Sequence, residues 1–326
     1  MTSASRGAPD VRTSHERAQD RSVIVGPSRR APRLVAAALV AAALVGGCAR
    51  ADAPPSAAAP VPTATTPPRT TTPSPTTTPP APTPSRAQAA VDAIAPAERE
   101  RRSVTLGVAV LDRTTGQITT NSEGDTPLRA ASVAKLFTVV DVLTRRAAGE
   151  ATVTPADEQR IRRALSLSDD EAMNGLYSRF GGPEGIQRVA ALLGLARTSP
   201  PARVGQWGEV ETSARDVATL YRFVLTQLPP PDRDLVLSSL EAAPETAADG
   251  FDQGFGLLDP ARRGSAAAKQ GWLCCLESSI DLHSTGLPDA EGRYVVVLLS
   301  NQPRGYDAAR TVLDDAAGAA RDALAS

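Results

Sequence analysis

The stretch AASVAKLFTVV, residues 130–140, decides the reading of this chain. Lys135 is one of only two lysines among 35 basic side chains, all the others being arginine. A mostly apolar run here predicts a central helix over residues 132–146, beginning just before Ser132. Residues three apart on a helix lie on one face, so Ser132 and Lys135 are neighbours. A serine hydroxyl is a weak nucleophile until a base takes its proton, and a desolvated lysine with a lowered pKa can do so without histidine. Arginine, with a pKa above about 12, cannot accept that proton. The unpaired N–H groups and positive dipole end of the helix would lie near any oxyanion formed at Ser132.

The second lysine, Lys269, stands in K-Q-G at residues 269–271, inside an expected strand. Between the lysines, S-D-D at 168–170 opens a helix, with Asn174 four residues beyond Asp170. With Gly near 7% of positions and Ser similar, both lysines fall into S-x-x-K and K-x-G by chance in roughly one chain in two hundred. These motifs, in this order, resemble those of the penicillin-recognising serine hydrolases, the family of class A β-lactamases and D,D-peptidases, whose pattern is S-x-x-K, S-D-N and K-T-G. The resemblance covers about residues 100–326. It implies Ser132 as the acylated nucleophile, Lys135 as its proton acceptor, Ser168 as a relay to the leaving nitrogen and Lys269 as the group holding Ser168 and attracting a substrate carboxylate. It also implies an oxyanion hole from the backbone N–H groups of Ser132 and Trp272, and substrate contacts at Asp170, Asn174, Gln270 and Gly271.

Several positions depart from the family pattern. Asp170 stands for the family's Asn, and a carboxylate beside Lys135 would favour the ammonium and weaken the base. Gln270 replaces a Thr or Ser hydroxyl. Ser132 and Ser168 are 36 positions apart, shorter than in class A enzymes, which implies a reduced helical lobe. No E-x-x-L-N motif is present to supply a deacylating Glu, and Glu209 and Glu211 read as surface charges on a loop. An acyl-enzyme here would be long-lived. The resemblance thus implies a serine hydrolase acting on β-lactams or D-Ala peptides of the cell wall, with turnover in question. The alternative is a catalytically degenerate lipoprotein of the same fold with a binding role.

Outside these motifs, SVTLGVAVLD (103–112), a TTG turn and QITTN read as a β-hairpin. Residues 154–240 carry helical patterns, two of them opened by Thr154 before Pro155 and by Ser213 ahead of Asp216. AAAKQGWLCCL, IDLHSTG and RYVVVLLSNQ follow as strands, then a helix from Asp307. Strands at both ends around a helical middle define an α+β fold: an antiparallel sheet flanked by helices, plus an all-helical lobe.

The N-terminal part reads differently. Residues 34–47 form an apolar run behind Arg29, Arg30 and Arg33, of signal-peptide length and short for a membrane span. V-G-G-C at 45–48 resembles a bacterial lipobox, making residues 1–47 a lipoprotein signal peptide and Cys48 the lipidated residue. Ordinary cleavage nearby or an uncleaved anchor are the alternatives. Residues 54–84 hold 12 of the 28 prolines amid Thr, Ala and Ser, too few large apolar groups to fold. Residues 48–86 are therefore an extended tether, reaching up to roughly 100 Å at ~3.1 Å per residue, with the hydrolase domain at 87–326. The expected location is the outer face of the cell membrane.

A net charge of -1 argues against a nucleic-acid partner. No cofactor and no metal are expected, since the mature region keeps His283 as its one histidine, and that residue reads as structural. A monomer is expected. Cys274 and Cys275 read as two buried apolar thiols ahead of a vicinal disulfide. Trp207 and Trp272 either stack a ligand or fill the core.

Overall fold

The computed structural model describes residues 84–99, 103–289, 292–303 and 305–326. The signal peptide, Cys48 and nearly all of the tether lie outside these residues. Everything described belongs to one compact unit, Pro82–Ser326.

Helix α1 (Arg86–Arg99) precedes β1 (Thr105–Asp112) and β2 (Ile118–Thr120), the hairpin expected from the alternation and its TTG turn. β5 (Ala267–Cys274), β6 (Ser279–Leu287) and β7 (Tyr294–Pro303) complete a five-stranded antiparallel sheet in the order β2-β1-β7-β6-β5. The last helix, α8 (Tyr306–Ala325), returns to pack on α1 and the sheet. β1 and β7 are buried on both faces, and their register explains how. Ala109, Leu111, Val295, Val297 and Leu299 enter one core with the helical lobe, whereas Val108, Val110, Val296 and Leu298 enter a second core with α1 and α8. Successive strand residues point to opposite faces, so near-continuous Val and Leu is what a doubly covered strand needs.

The lobe comprises α2 (Ala134–Ala147), α3 (Pro155–Ser166), α4 (Asp170–Phe180), α5 (Gly182–Leu193), α6 (Ala214–Thr226) and α7 (Pro230–Glu241). α2 is its centre, buried from Ala134 through Leu143. α3 starts where the Thr154-Pro155 pair predicts, with a reciprocal capping box between Thr154 and Asp157. Ser213 caps α6, accepting from the Asp216 N–H at 3.2 Å. The Asp216 carboxylate does not reach back as a capping box would; it takes Arg197 N and Thr198 Oγ1, each at 2.8 Å. Two short strands absent from the sequence reading, β3 (Leu128–Arg129) and β4 (Glu211–Thr212), pair antiparallel just ahead of Ser132. Helix α1 is likewise an element that the periodicity does not single out. Among the described residues no helix is long and apolar enough to cross a membrane.

Candidate active site

Ser132 sits in a 3₁₀ turn, Ala131–Val133, that runs directly into α2. Sequence periodicity places it on the helix itself; the chain instead passes from β3 through this tighter turn before the helix begins. The Ala130 N–H is held by Val210 O at 2.7 Å, and Ala131 takes a left-handed φ of 47°. Such backbone in a non-glycine residue costs on the order of 1–3 kcal/mol and persists where its surroundings enforce it. Gly271 of β5 presses on this turn from the other side. A Cβ there would lie 3.1 Å from His283 Cδ2, 3.2 Å from Ala130 O and 3.2 Å from Val133 Cγ2. The glycine of K-Q-G thus allows a close approach of strand and turn, tighter than an ordinary Cβ contact, and it offers no side chain to a substrate.

Ser132, Lys135, Ser168 and Lys269, distant in sequence, converge. Lys135 Nζ donates to Ser132 Oγ at 2.7 Å and lies 3.0 Å from Ser168 O and 3.2 Å from Ser168 Oγ. Lys269 Nζ donates to Ser168 Oγ at 2.8 Å and to Gln270 O at 2.8 Å. All four residues are buried, both lysines completely. Ser168 is the second non-glycine residue of the site with left-handed backbone, φ 51°. That conformation turns its carbonyl and hydroxyl together toward Lys135, while Asp169 caps α4 by accepting from the Ala172 N–H at 3.0 Å.

Asp170, at the first turn of α4, accepts from Lys135 Nζ at 2.7 Å although its side chain is 62% exposed. Burial pushes the Lys135 ammonium below the ordinary lysine range, and the Asp170 carboxylate pulls it back up. Lys269 is driven well below that range by burial first and by repulsion from Lys135 second. The two lysines are therefore unequal in their hold on a proton.

β5 is an edge strand, so alternate backbone groups are unpaired within the sheet. Gln270 O meets Lys269 Nζ on that open side; two residues on, the Trp272 N–H points the same way. The side chains differ from expectation. Gln270 does not face the cleft: strand alternation sends it to the opposite face, where Nε2 donates to Gln253 O at 3.2 Å and to Phe255 O. Trp272 is buried too, stacked on Phe251 with centroids 4.5 Å apart and donating Nε1 to Asp249 Oδ2 at 3.1 Å. Its side chain fills the core, and only its backbone adjoins the cleft.

Asn174 lies one turn along α4 from Asp170, exposed, with its Oδ1 accepting from Trp207 Nε1 at 2.8 Å. Its carbonyl oxygen is thus engaged by protein. Trp207 is the residue whose part the sequence leaves undecided. It opens a 3₁₀ turn, Trp207–Glu209, and its ring centroid is 4.4 Å from Lys135 Nζ. Glu209, in the same turn, is held by the guanidinium of Arg203, with Nε at 3.0 Å, and Glu211 is in β4, exposed.

His283 is a structural residue, as its lone occurrence suggests. It is fully buried, its Nδ1 accepts from the Ser300 N–H at 3.1 Å, and Nε2 donates to Arg129 O at 2.7 Å. Burial lowers its pKa, consistent with that neutral tautomer. Cys274 and Cys275 are not separate thiols: they form a vicinal disulfide at the end of β5. What makes pairing of neighbours possible is a break in strand geometry, with Cys275 in left-handed backbone at φ 80°.

This sheet, lobe and buried Ser-Lys cluster define the class A β-lactamase-like fold. Among solved structures, a beta-lactamase from Chitinophaga pinensis superposes with a TM-score of 0.57 and 16% identity, over 72% of this chain and 98% of its own. A beta-lactamase from Sphaerobacter thermophilus gives 0.54 and 20%, over 73% and 97%. In sequence, residues 156–324 match the model of the Beta-lactamase enzyme family. A relative named "Putative lipoprotein LppW" in Mycobacterium tuberculosis and Mycobacterium bovis is 38% identical over 223 residues, 67% of this chain and 70% of the relative. The chain belongs to the beta-lactamase enzyme family. The matched region includes Ser168 and Lys269, with Ser132 and Lys135 upstream of it.

Proposed function

We propose that this protein is an exported, lipid-anchored serine acyl-enzyme of the cell envelope, acylated at Ser132 by β-lactams or by D-Ala peptides of the cell wall. The observation that carries this reading is the placement of Ser168 Oγ between two buried lysines, with Lys135 Nζ 2.7 Å from Ser132 Oγ. Neutral Lys135 takes the Ser132 proton as Oγ attacks the carbonyl carbon. The developing oxyanion is received by the N–H groups of Ser132 and Trp272, two preorganised donors worth a few kcal/mol each. Ser168 passes its proton to the leaving nitrogen as the C–N bond breaks, and the Lys135 ammonium restores it across 3.2 Å. Lys269 holds Ser168 in place.

Hydrolysis of the ester needs an activated water. Glu209, in the turn beside Ser132, is occupied by Arg203, so the acyl-enzyme is expected to persist. Anchoring through Cys48 and the proline-rich segment would hold the domain within reach of the wall, and the lipoprotein name of the relatives supports this.

A second reading, a non-turning-over binding lipoprotein, draws on one observation: the Asp170–Lys135 ion pair at 2.7 Å opposes loss of the lysine proton. Intact mass of the full-length protein, in detergent, with and without a penicillin separates the two. A stable adduct absent from Ser132→Ala supports the acyl-enzyme. No adduct, with retained folding and affinity for wall fragments, supports the binder.

A further inference from the structure

The Lys135 Nζ is surrounded asymmetrically. Ser132 Oγ, Ser168 O, Ser168 Oγ and Asp170 Oδ1 approach it at 2.7, 3.0, 3.2 and 2.7 Å. The remaining side is covered by the indole of Trp207, with its centroid at 4.4 Å. A water hydrogen-bonded to Nζ and resting on the ring would need about 6 Å between them, so none fits. The ring is fixed rather than draped. Its Nε1–H is bound to Asn174 Oδ1 at 2.8 Å, its carbonyl takes the Val210 N–H at 3.2 Å, and a Cβ on the next residue, Gly208, would lie 3.9 Å from Ala131 Cα.

An indole face attracts an ammonium through the ring quadrupole far more than it does a neutral amine. We propose that Trp207 is a positioning residue for Lys135: its face stabilises the ammonium form and seals it from water, and so sets the pH at which the lysine can take the Ser132 proton. The second half of this statement rests on the acyl-enzyme reading; the first does not. The charged groups facing Lys135 are Asp170 and Asp169 at the start of α4, Asp249 from the segment before β5, and Lys269 from β5. The three acids favour the charged form and Lys269 opposes it; the ring face acts with the acids, while the exclusion of water that any apolar cover brings acts against the charge, which is why the comparison below keeps apolar cover in place.

With only two lysines in the chain, ¹³C labelling at lysine Cε of the full-length protein gives two resonances, and Lys269→Met assigns them. Trp207→Leu keeps apolar cover but removes the ring face; Trp207→Phe restores the face without the Asn174 bond. The Lys135 midpoint is expected to fall by about 0.4–1.5 pH units in Trp207→Leu and to return toward the wild-type value in Trp207→Phe. Asn174→Ala, which only frees the indole, should move it the same way by less. The pH midpoint of acylation by a penicillin should follow the lysine midpoint. An unmoved or raised Lys135 midpoint in folded Trp207→Leu overturns the proposal. Should that variant not fold, an unmoved midpoint in Asn174→Ala overturns it. If the lysine midpoint falls but the wild type is never acylated, Trp207 positions Lys135 and it is the acyl-enzyme reading that fails.

Discussion

The helical side and the strand side of the site each contribute one fully buried lysine, and the two are held in opposite ways. On the helical side Lys135 has a carboxylate, two hydroxyls, a carbonyl and an indole face. On the strand side Lys269 has a hydroxyl and a carbonyl, with the Trp272 ring more distant at 5.8 Å. Burial alone would treat them alike; it is the partners that divide them. Lys269 bears the cost of desolvation without a contacting anion, while Lys135 has part of that cost returned by Asp170. Both lysines beside Ser168 are thus held below the ordinary range, Lys269 the further.

The comparison is broken most strongly by removing the helical lysine. Lys135→Ala should slow penicillin acylation by about 10²–10⁴-fold, measured by stopped mass sampling, as expected for a lost general base. Gly271→Ala attacks the contact joining the two sides. Its Cβ would meet backbone and packed side chains at 3.1–3.2 Å, so unfolding free energy should drop by about 1–3 kcal/mol, with slower acylation in the folded protein.

A smaller effect concerns stability against pH. A lysine whose folded pKa is depressed is neutral in the folded state and protonated in the unfolded state between its two pKa values, so the unfolded state binds more protons there. Stability should therefore rise with pH from the depressed Lys269 pKa to about 10.4, and the rise should be shallower in Lys269→Met by denaturant titration. Smallest is Asp170→Asn. Its exposed carboxylate is screened, so the acylation midpoint should fall by less than about one pH unit.

Much of this was legible in the sequence because chemistry restricts residue type at those positions. Arginine cannot serve as the base at 135, which sets that lysine apart, and the Val-rich strands answer to a sheet covered on both faces; the glycine at 271, read as a substrate contact, instead answers to a steric one. What escaped depends on direction rather than composition. Gln270 is next to Lys269 in sequence, but strand alternation turns it to the other face. Trp207 lies 72 positions beyond Lys135, on a loop whose path no periodicity encodes. The disulfide needed a left-handed residue at Cys275, which a strand-like stretch does not announce. Ser132 reads as helical because a 3₁₀ turn and a helix start share a pattern over three residues.

Residues 130–135 allow the most direct test. Trypsin cuts after Arg129 and Lys135, releasing AASVAK, residues 130–135, in which Ser132 is the one hydroxyl. After exposure of the full-length protein to a penicillin, the account expects the penicilloyl mass on this peptide and on no other. A peptide that stays unmodified, with the adduct elsewhere or absent, would contradict it.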